Sequence, residues 1–317
     1  MAVESRGRKI VYGPVPSRRL GRSLGIDLIP YKTCSFDCIY CQLGPTPKTT
    51  IRRRAYTLPE EVVSAVRGRL EKGTHADFLT LSGSGEPTLE LNLGEILRAL
   101  RREFSQRIAV LTNSSLLHMK SVREALSSAH VVLPSLDGWK EDTFQKVNRP
   151  HPSVSLEKVL LGLKKLRGEF KGEIWLEVLL VEGINDDPRD IPLLLAVLQD
   201  IAPDRIQINT VTRPPSLAWV RPPKRERLEE FAAALGPKAE IVASFKAGSE
   251  RIVTSELERR LVETVSRRPL CAEDVASIFG MEISMADSLL GRLAREKGWM
   301  AVKVEEKTYY RPRGESA

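Results

Sequence analysis

Residues 24–44 read LGIDLIPYKTCSFDCIYCQLG, an apolar run followed at once by Cys34, Cys38 and Cys41. The run Leu24–Ile29 predicts a strand, Pro30 ends it, and the three thiols fall on a loop at the strand's C-terminal end. Such a loop lets three thiolates converge without helical constraint, and soft thiolates select zinc, copper(I) or an iron-sulfur cluster. Structural zinc wants four closed ligands, yet no second cysteine pair follows, and His75, His118, His130 and His151 are scattered. Three thiolates on a cluster leave one iron open, as catalytic metal sites keep one position open.

On the C-terminal side of this loop, strand and helix patterns alternate. Strand-like runs are Phe78–Leu81, Ile108–Leu111, Val131–Leu133, Ile174–Val181 and Arg205–Ile208. Helical patterns lie between them at Leu58–Leu70, Leu93–Phe104, Ser121–Ala129, Leu156–Phe170 and Ile191–Ile201. The alternation predicts an α/β fold, a parallel sheet of about six βα units that is closer to a barrel than to a two-domain sandwich. Ligands of such a sheet collect at the C-terminal ends of its strands. There the chain places Gly83-Ser84-Gly85-Glu86, Thr112-Asn113-Ser114, Ser135-Leu136-Asp137, Glu177 and Gln207-Ile208-Asn209-Thr210. Glycines let the backbone approach a ligand closely, and Glu86 can accept hydrogen bonds from an ammonium group. Asn113, Ser135, Asp137 and Asn209 are candidates for ribose, carboxylate or substrate contacts, with turn capping as the alternative role for each. Arg149 and Arg213, in Pro-rich surroundings, would brace loops or clamp an anion.

From Ser255 the period changes. Helical stretches Ser255–Ser266, Ala272–Phe279 and Ser284–Lys297 precede Met300–Val304, a charged turn, and Thr308–Arg311. Three short helices and a hairpin predict a small winged-helix-like α+β domain over residues 251–317, after a barrel over residues 1–250. Cys271 opens one of these helices and is expected in the core.

The 317 residues are 28% charged and 42% hydrophobic, which excludes a disordered chain and leaves room for two cores. No apolar run approaches the roughly 18 to 20 residues of a spanning helix, and the first residues lack a signal peptide's apolar stretch, so a cytoplasmic protein without a membrane partner is expected. With three of the four cysteines in one cluster, a disulfide framework is a poor reading. The net charge of +8 is concentrated: residues 1–54 hold 11 Lys/Arg against 3 acids, while the rest carries 38 of each sign. That basic excess beside the cysteines predicts an anionic partner such as tRNA, or a solvated arm. Residues 255–317 carry 11 basic and 11 acidic groups, too balanced for strong phosphate neutralisation.

The C-x3-C-x2-C spacing, with Tyr40 just before the last cysteine, resembles the signature of the radical S-adenosylmethionine (SAM) superfamily. The resemblance implies that Cys34, Cys38 and Cys41 hold a 4Fe-4S cluster. The fourth iron would take the amino and carboxylate groups of SAM, and Phe36 and Tyr40 would line the adenine side. Gly83-Ser84-Gly85-Glu86 is similar to the family's glycine-glycine-glutamate motif for the methionine amine, with Ser84 where a glycine usually stands. The family's chemistry further implies a one-electron reductant such as flavodoxin or ferredoxin. The stretch from Pro14 to Pro215 resembles the iron-sulfur oxidoreductases related to wyosine-type tRNA base synthases, although the upstream cysteines of those enzymes have no counterpart in residues 1–33. A rival from another class is an iron-sulfur redox-sensing winged-helix regulator, which would need neither the glycine strip nor the barrel.

Overall fold

A computed structural model of the protein describes residues 9–17, 19–71, 73–242 and 254–313. One eight-stranded sheet dominates it, with the strands in chain order from edge to edge. Strand β1 (Val11–Ser17) forms an antiparallel hairpin with β2 (Gly21–Ile26), and every later pairing in this sheet is parallel. The order continues through α1 (Pro59–Leu70), β3 (Phe78–Leu81), α2 (Leu93–Glu103), β4 (Arg107–Thr112), α3 (Lys120–Leu126), β5 (Val131–Pro134), α4 (Glu141–Asn148) and α5 (Leu156–Glu169). It ends with β6 (Glu173–Leu180), α6 (Ile191–Ile201), β7 (Arg205–Thr210), α7 (Arg225–Leu235) and β8 (Ala239–Ile241).

The alternation of side chains along each strand divides the molecule into two layers. Leu79, Leu81, Ile108, Val110, Val132, Ile174, Leu176 and Val178 join the large core that also holds the helices' apolar faces. Their neighbours Leu20, Phe78, Ala109, Val131, Leu133 and Trp175 form a separate inner cluster. Arg107 lies over the Phe78 ring at 5.1 Å and Arg205 over Trp175 at 4.5 Å, so the cluster is rimmed by cations. Two residues further along the strands, Thr80, Leu111, Ser135 and Glu177 line a cavity at the C-terminal ends.

Three strand expectations need correction. The first strand of the parallel set is Gly21–Ile26, not Leu24–Ile29: Leu28 and Ile29 are buried but leave the sheet to enter the cysteine loop. The sheet also has two more strands than the six read from the sequence, β1 and β8. Pro14 and Pro16 mask β1 as a strand, and they are tolerated because it is an edge. The three residues of β8 are too few for a periodic signal.

Helices α8 (Thr254–Val265), α9 (Ala272–Phe279) and α10 (Ile283–Lys297) precede the antiparallel hairpin β9 (Met300–Val304) and β10 (Lys307–Arg311). They surround their own core of Leu257, Leu261, Val265, Leu270, Val275, Ile278, Phe279, Leu290, Leu293 and Trp299. The expected boundary at residues 250 and 251 lies outside the described residues. This C-terminal unit packs α8 and α9 against β1. Between the two units, Glu263 on α8 receives Arg69 from α1 at 2.8 Å and Lys9 at 3.1 Å. Arg267 reaches Asp27 at 3.0 Å and lies over the Tyr12 ring at 5.1 Å. Among the described residues, no helix is long and apolar enough to cross a membrane.

Candidate active site

The cysteine loop is laced to the glycine turn that follows β3. Lys32 adopts a left-handed φ of 55° and donates its backbone N–H to the Ser84 carbonyl at 2.7 Å, while Glu86 N–H donates to the Thr33 carbonyl at 3.1 Å. Asp27 closes the arrangement, accepting Ser84 N–H at 3.0 Å and Ser84 Oγ–H at 2.6 Å. This approach requires glycine on both sides of Ser84. A Cβ on Gly85 would lie 2.1 Å from the Thr33 carbonyl oxygen, and one on Gly83, at φ 150°, would lie 2.5 Å from Asp27 Cγ.

Cys34, Cys38 and Cys41 all line the same cavity, which has a volume of about 350 Å³, the scale of a small-molecule site. Each sulfur has a different donor: Asn113 Nδ2 at 3.5 Å for Cys34, Asn148 Nδ2 at 3.4 Å for Cys38, and Lys32 Nζ at 3.3 Å for Cys41. Burial and the nearby Glu86 push the Cys34 thiol up to about 12, and burial with Cys34 as neighbour raises Cys38 well above its ordinary value. A bare thiolate is thus disfavoured here, whereas a bound metal centre reverses that preference and deprotonates its ligands. Among the described residues no His, Cys, Asp or Glu triad is arranged to hold a single metal ion. Three soft donors on one loop, sharing a cavity but not a common centre, fit a cluster that takes one thiolate per iron.

Glu86 is 2% exposed and heavily used. Its Oε1 accepts Thr88 N–H at 3.0 Å, Thr88 Oγ1–H at 2.6 Å and Thr112 Oγ1–H at 2.7 Å, and its Oε2 accepts Asn113 N–H at 2.8 Å. An ionised carboxylate offers about four lone-pair sites, so the Oε2 side keeps room for a further donor. Burial raises the pKa of Glu86 while these bonds oppose the rise. Beyond it, Tyr40 donates its hydroxyl to Asp137, which also accepts Asn148 Nδ2 at 3.0 Å and Leu179 N–H at 3.1 Å. Burial raises the pKa of both Tyr40 and Asp137.

Of the residues singled out in the sequence, Tyr40, Gly83, Gly85, Glu86, Asn113 and Ser135 line the cavity with the three cysteines. Ser84, Phe36, Asp137 and Asn209 are not part of its lining. Ser84 is turned to Asp27, Phe36 packs edge-on against Phe144 with ring centres 5.6 Å apart, and Asp137 anchors Tyr40. Asn209 donates to Glu177 at 3.3 Å, and its Oδ1 is buried without a hydrogen-bond partner. The basic N-terminal segment is not a free arm where it is described: Arg53 donates to the Thr88 and Glu90 carbonyls, each at 2.9 Å. Arg149 pairs with Asp37 at 3.7 Å and braces the loop. Cys271 caps α9, outside this cavity, with its thiol pushed up to about 12 by burial and Asp274.

Sequence reasoning missed Tyr12, Arg267 and Arg268 on the cavity wall and Lys32 beside Cys41. Arg267 and Arg268 stand in a turn of a charge-balanced domain, and only the docking of that domain aims them at the barrel. Lys32 carries no periodic signal, and its place two residues before Cys34 is the one feature of the sequence that could have found it.

The sequence profile of the Radical SAM superfamily matches residues 28–195, the span from the cysteine loop into the first half of α6. A UPF0026 protein of Methanocaldococcus jannaschii is 32% identical over 308 residues, covering 95% of each chain. A second UPF0026 protein, from Synechocystis, is 39% identical over 208 residues, which is 65% of this chain and 77% of its own. The crystal structure of a radical SAM methyltransferase from Sphaerobacter thermophilus superposes with a TM-score of 0.53 at 18% identity, over 69% of this chain and 65% of that one, a likeness of fold. With the cysteine loop and glycine turn inside the matched span, the chain belongs to the radical SAM superfamily.

Proposed function

We propose that the protein is an enzyme that holds a 4Fe-4S cluster on Cys34, Cys38 and Cys41, binds SAM beside it, and abstracts hydrogen from a substrate bearing an anionic group. The observation that carries this reading is the meeting of the three cysteines with the Gly83–Glu86 turn on one cavity at the strand ends. Bound there and reduced by a flavodoxin- or ferredoxin-type donor, the cluster and SAM would supply a 5′-deoxyadenosyl radical. A redox-sensing regulator would have no use for a glycine turn held this closely to the ligand loop, and that reading gains no support.

In this assignment the protein's own groups divide the work. Glu86 fixes the ends of β3 and β4 and offers its remaining lone pair to the ammonium of SAM. Glu86→Ala is expected to weaken SAM binding by about 10- to 150-fold, the loss of a charge-assisted hydrogen bond. Unchanged affinity in titration calorimetry would remove this role. Asn113 and Asn148 orient Cys34 and Cys38, and Asp137 holds Tyr40 at the cavity wall. Lys32, 7% exposed, sets a positive charge against the Cys41 sulfur. Such a charge favours the more negative, reduced cluster, so Lys32→Met is expected to lower the midpoint potential in an EPR-monitored redox titration. A potential equal to that of the wild type would dismiss Lys32 as a tuning residue.

The test of the whole reading is anaerobic incubation of the reconstituted protein with SAM and dithionite. Formation of 5′-deoxyadenosine and methionine is expected, and neither product appearing with a fully loaded cluster would overturn it.

A further inference from the structure

Residues 43–54 run along the cysteine loop but outside the cavity, whose lining includes none of them. The segment is nevertheless tied to the loop. Thr46 donates its N–H to Asp37 at 2.6 Å and its hydroxyl to the Phe36 carbonyl at 2.9 Å. Thr50 donates its N–H to the carbonyl of Cys34 itself, at 2.9 Å. The surface at Thr50 is therefore one hydrogen bond from a residue assigned as a cluster ligand.

This strap is basic. Between Asp37 and Glu60 the chain carries Lys48, Arg52, Arg53 and Arg54 and no acid. Ile51 packs on the core and Arg53 turns inward to the Thr88 and Glu90 carbonyls, whereas Lys48, Arg52 and Arg54 are exposed. Asp37, the nearest acid along the chain, is offset by Arg149 at 3.7 Å, a guanidinium that is itself 46% exposed. Pro45 and Pro47, both exposed, stiffen the strap and add uncharged surface beside the cations.

We propose that this strap, with Lys48 and Arg52 at its centre, is the docking face for an acidic one-electron carrier protein that reduces the cluster. The inference rests on the reading of Cys34, Cys38 and Cys41 as cluster ligands. Reduction requires closeness to the cluster and no entry to the cavity, and the hydrogen bond from Thr50 to Cys34 continues through that residue to its sulfur. Complementary charge speeds such encounters and suits the small, transient interfaces of electron-transfer pairs. A nucleic acid is the poorer occupant, because cations outside the cavity would hold its backbone without bringing a nucleotide to the site of chemistry. The step moves one electron. A flavodoxin hydroquinone is oxidised to its semiquinone, the cluster is reduced, and no bond is made or broken.

The experiment is stopped-flow reduction of the reconstituted full-length protein by reduced flavodoxin and, separately, by reduced 2Fe-2S ferredoxin, read at the cluster absorbance over a series of ionic strengths. At low salt at least one of these acidic carriers is expected to reduce the wild type. That rate should fall as salt rises and be about 10- to 100-fold lower in Lys48→Glu/Arg52→Glu. Arg52→Gln should lie between the two, which keeps the test decisive if the double variant loads its cluster poorly. Lys165→Glu, a charge reversal on the exposed face of α5, should react as the wild type does. Photoreduced 5-deazariboflavin, small and uncharged, should reduce all of these proteins alike. The proposal is overturned if neither carrier reduces a wild type that deazariboflavin reduces, if the double variant or Arg52→Gln keeps the wild-type rate, if Lys165→Glu slows the reaction equally, or if the substitutions weaken binding of bulk tRNA alone. A wild type that deazariboflavin cannot reduce, or that then forms no 5′-deoxyadenosine from SAM, would instead overturn the underlying cluster reading.

Discussion

Replacing Cys34, Cys38 or Cys41 with alanine is expected to abolish the cluster, so that anaerobic reconstitution yields about four irons per chain in the wild type and essentially none in these variants. Each sulfur stands on a different part of the loop with its own donor, Asn113, Asn148 or Lys32, and none is placed to stand in for another. Cys271→Ala is the matching control. Its thiol is 2% exposed in the C-terminal unit, where a free cysteine acts as a small apolar group, so iron content should be retained. Iron and sulfide analysis with EPR of the reduced protein checks both halves. Retention of iron in any of the three loop variants, or its loss in Cys271→Ala, would show the ligand assignment to be wrong.

The second large effect concerns the docking of the C-terminal unit. Glu263 lies with its side chain 2% exposed and receives Arg69, itself 8% exposed, at 2.8 Å, together with Lys9 at 3.1 Å and Arg259 at 2.6 Å. Arg69 also donates to the Gly13 carbonyl at 2.8 Å, so one guanidinium ties α1, β1 and α8 together. Glu263→Ala removes the carboxylate and leaves a buried guanidinium uncompensated, a change that costs about 3 to 5 kcal/mol. Hydrogen exchange in α8 and limited proteolysis should report release of the unit at a lower denaturant concentration than in the wild type. Equal protection in both proteins would show that apolar packing alone fixes the interface. The same carboxylate makes docking sensitive to acid. Burial alone would raise its pKa, but the ion pairs with Arg69, Lys9 and Arg259 more than offset this and hold it below the ordinary value. A depressed folded-state pKa means that the stabilisation is complete above the unfolded value of about 4.3 and is lost as pH falls through the lower, folded one. Docking in the wild type should therefore loosen on acidification through that range, and Glu263→Ala should lack this component.

Both effects bear on the same site, because Arg267 and Arg268 reach the cavity only while α8 stays on β1. A truncation of residues 255–317 is consequently expected to alter the cavity wall, whereas the charge balance of that segment, read without its position, made it look peripheral.

The cysteine spacing, the glycine turn one βα unit later and the alternation of strand and helix were legible in the sequence because each depends on residues close together in the chain. Three thiols within eight positions must share a loop, and Gly83 and Gly85 must flank a tight approach whatever surrounds them. Edge strand β1 was not legible, since Pro14 and Pro16 contradict strand propensity and are permitted because, among the described residues, no strand pairs with its other side. Nor could local pattern show which strand-end polar groups face the cavity. Asn113 and Ser135 line it, whereas Ser84 and Asp137 spend their hydrogen bonds on Asp27 and Tyr40. The sequence by itself thus determined the three-cysteine loop and the layered α/β core, both set by short-range spacing and period. Only the tertiary structure decided the shape and charge of the cavity, because Arg19, Arg213 and Arg268 lie up to 249 residues apart and meet through the docking of one folded unit on another.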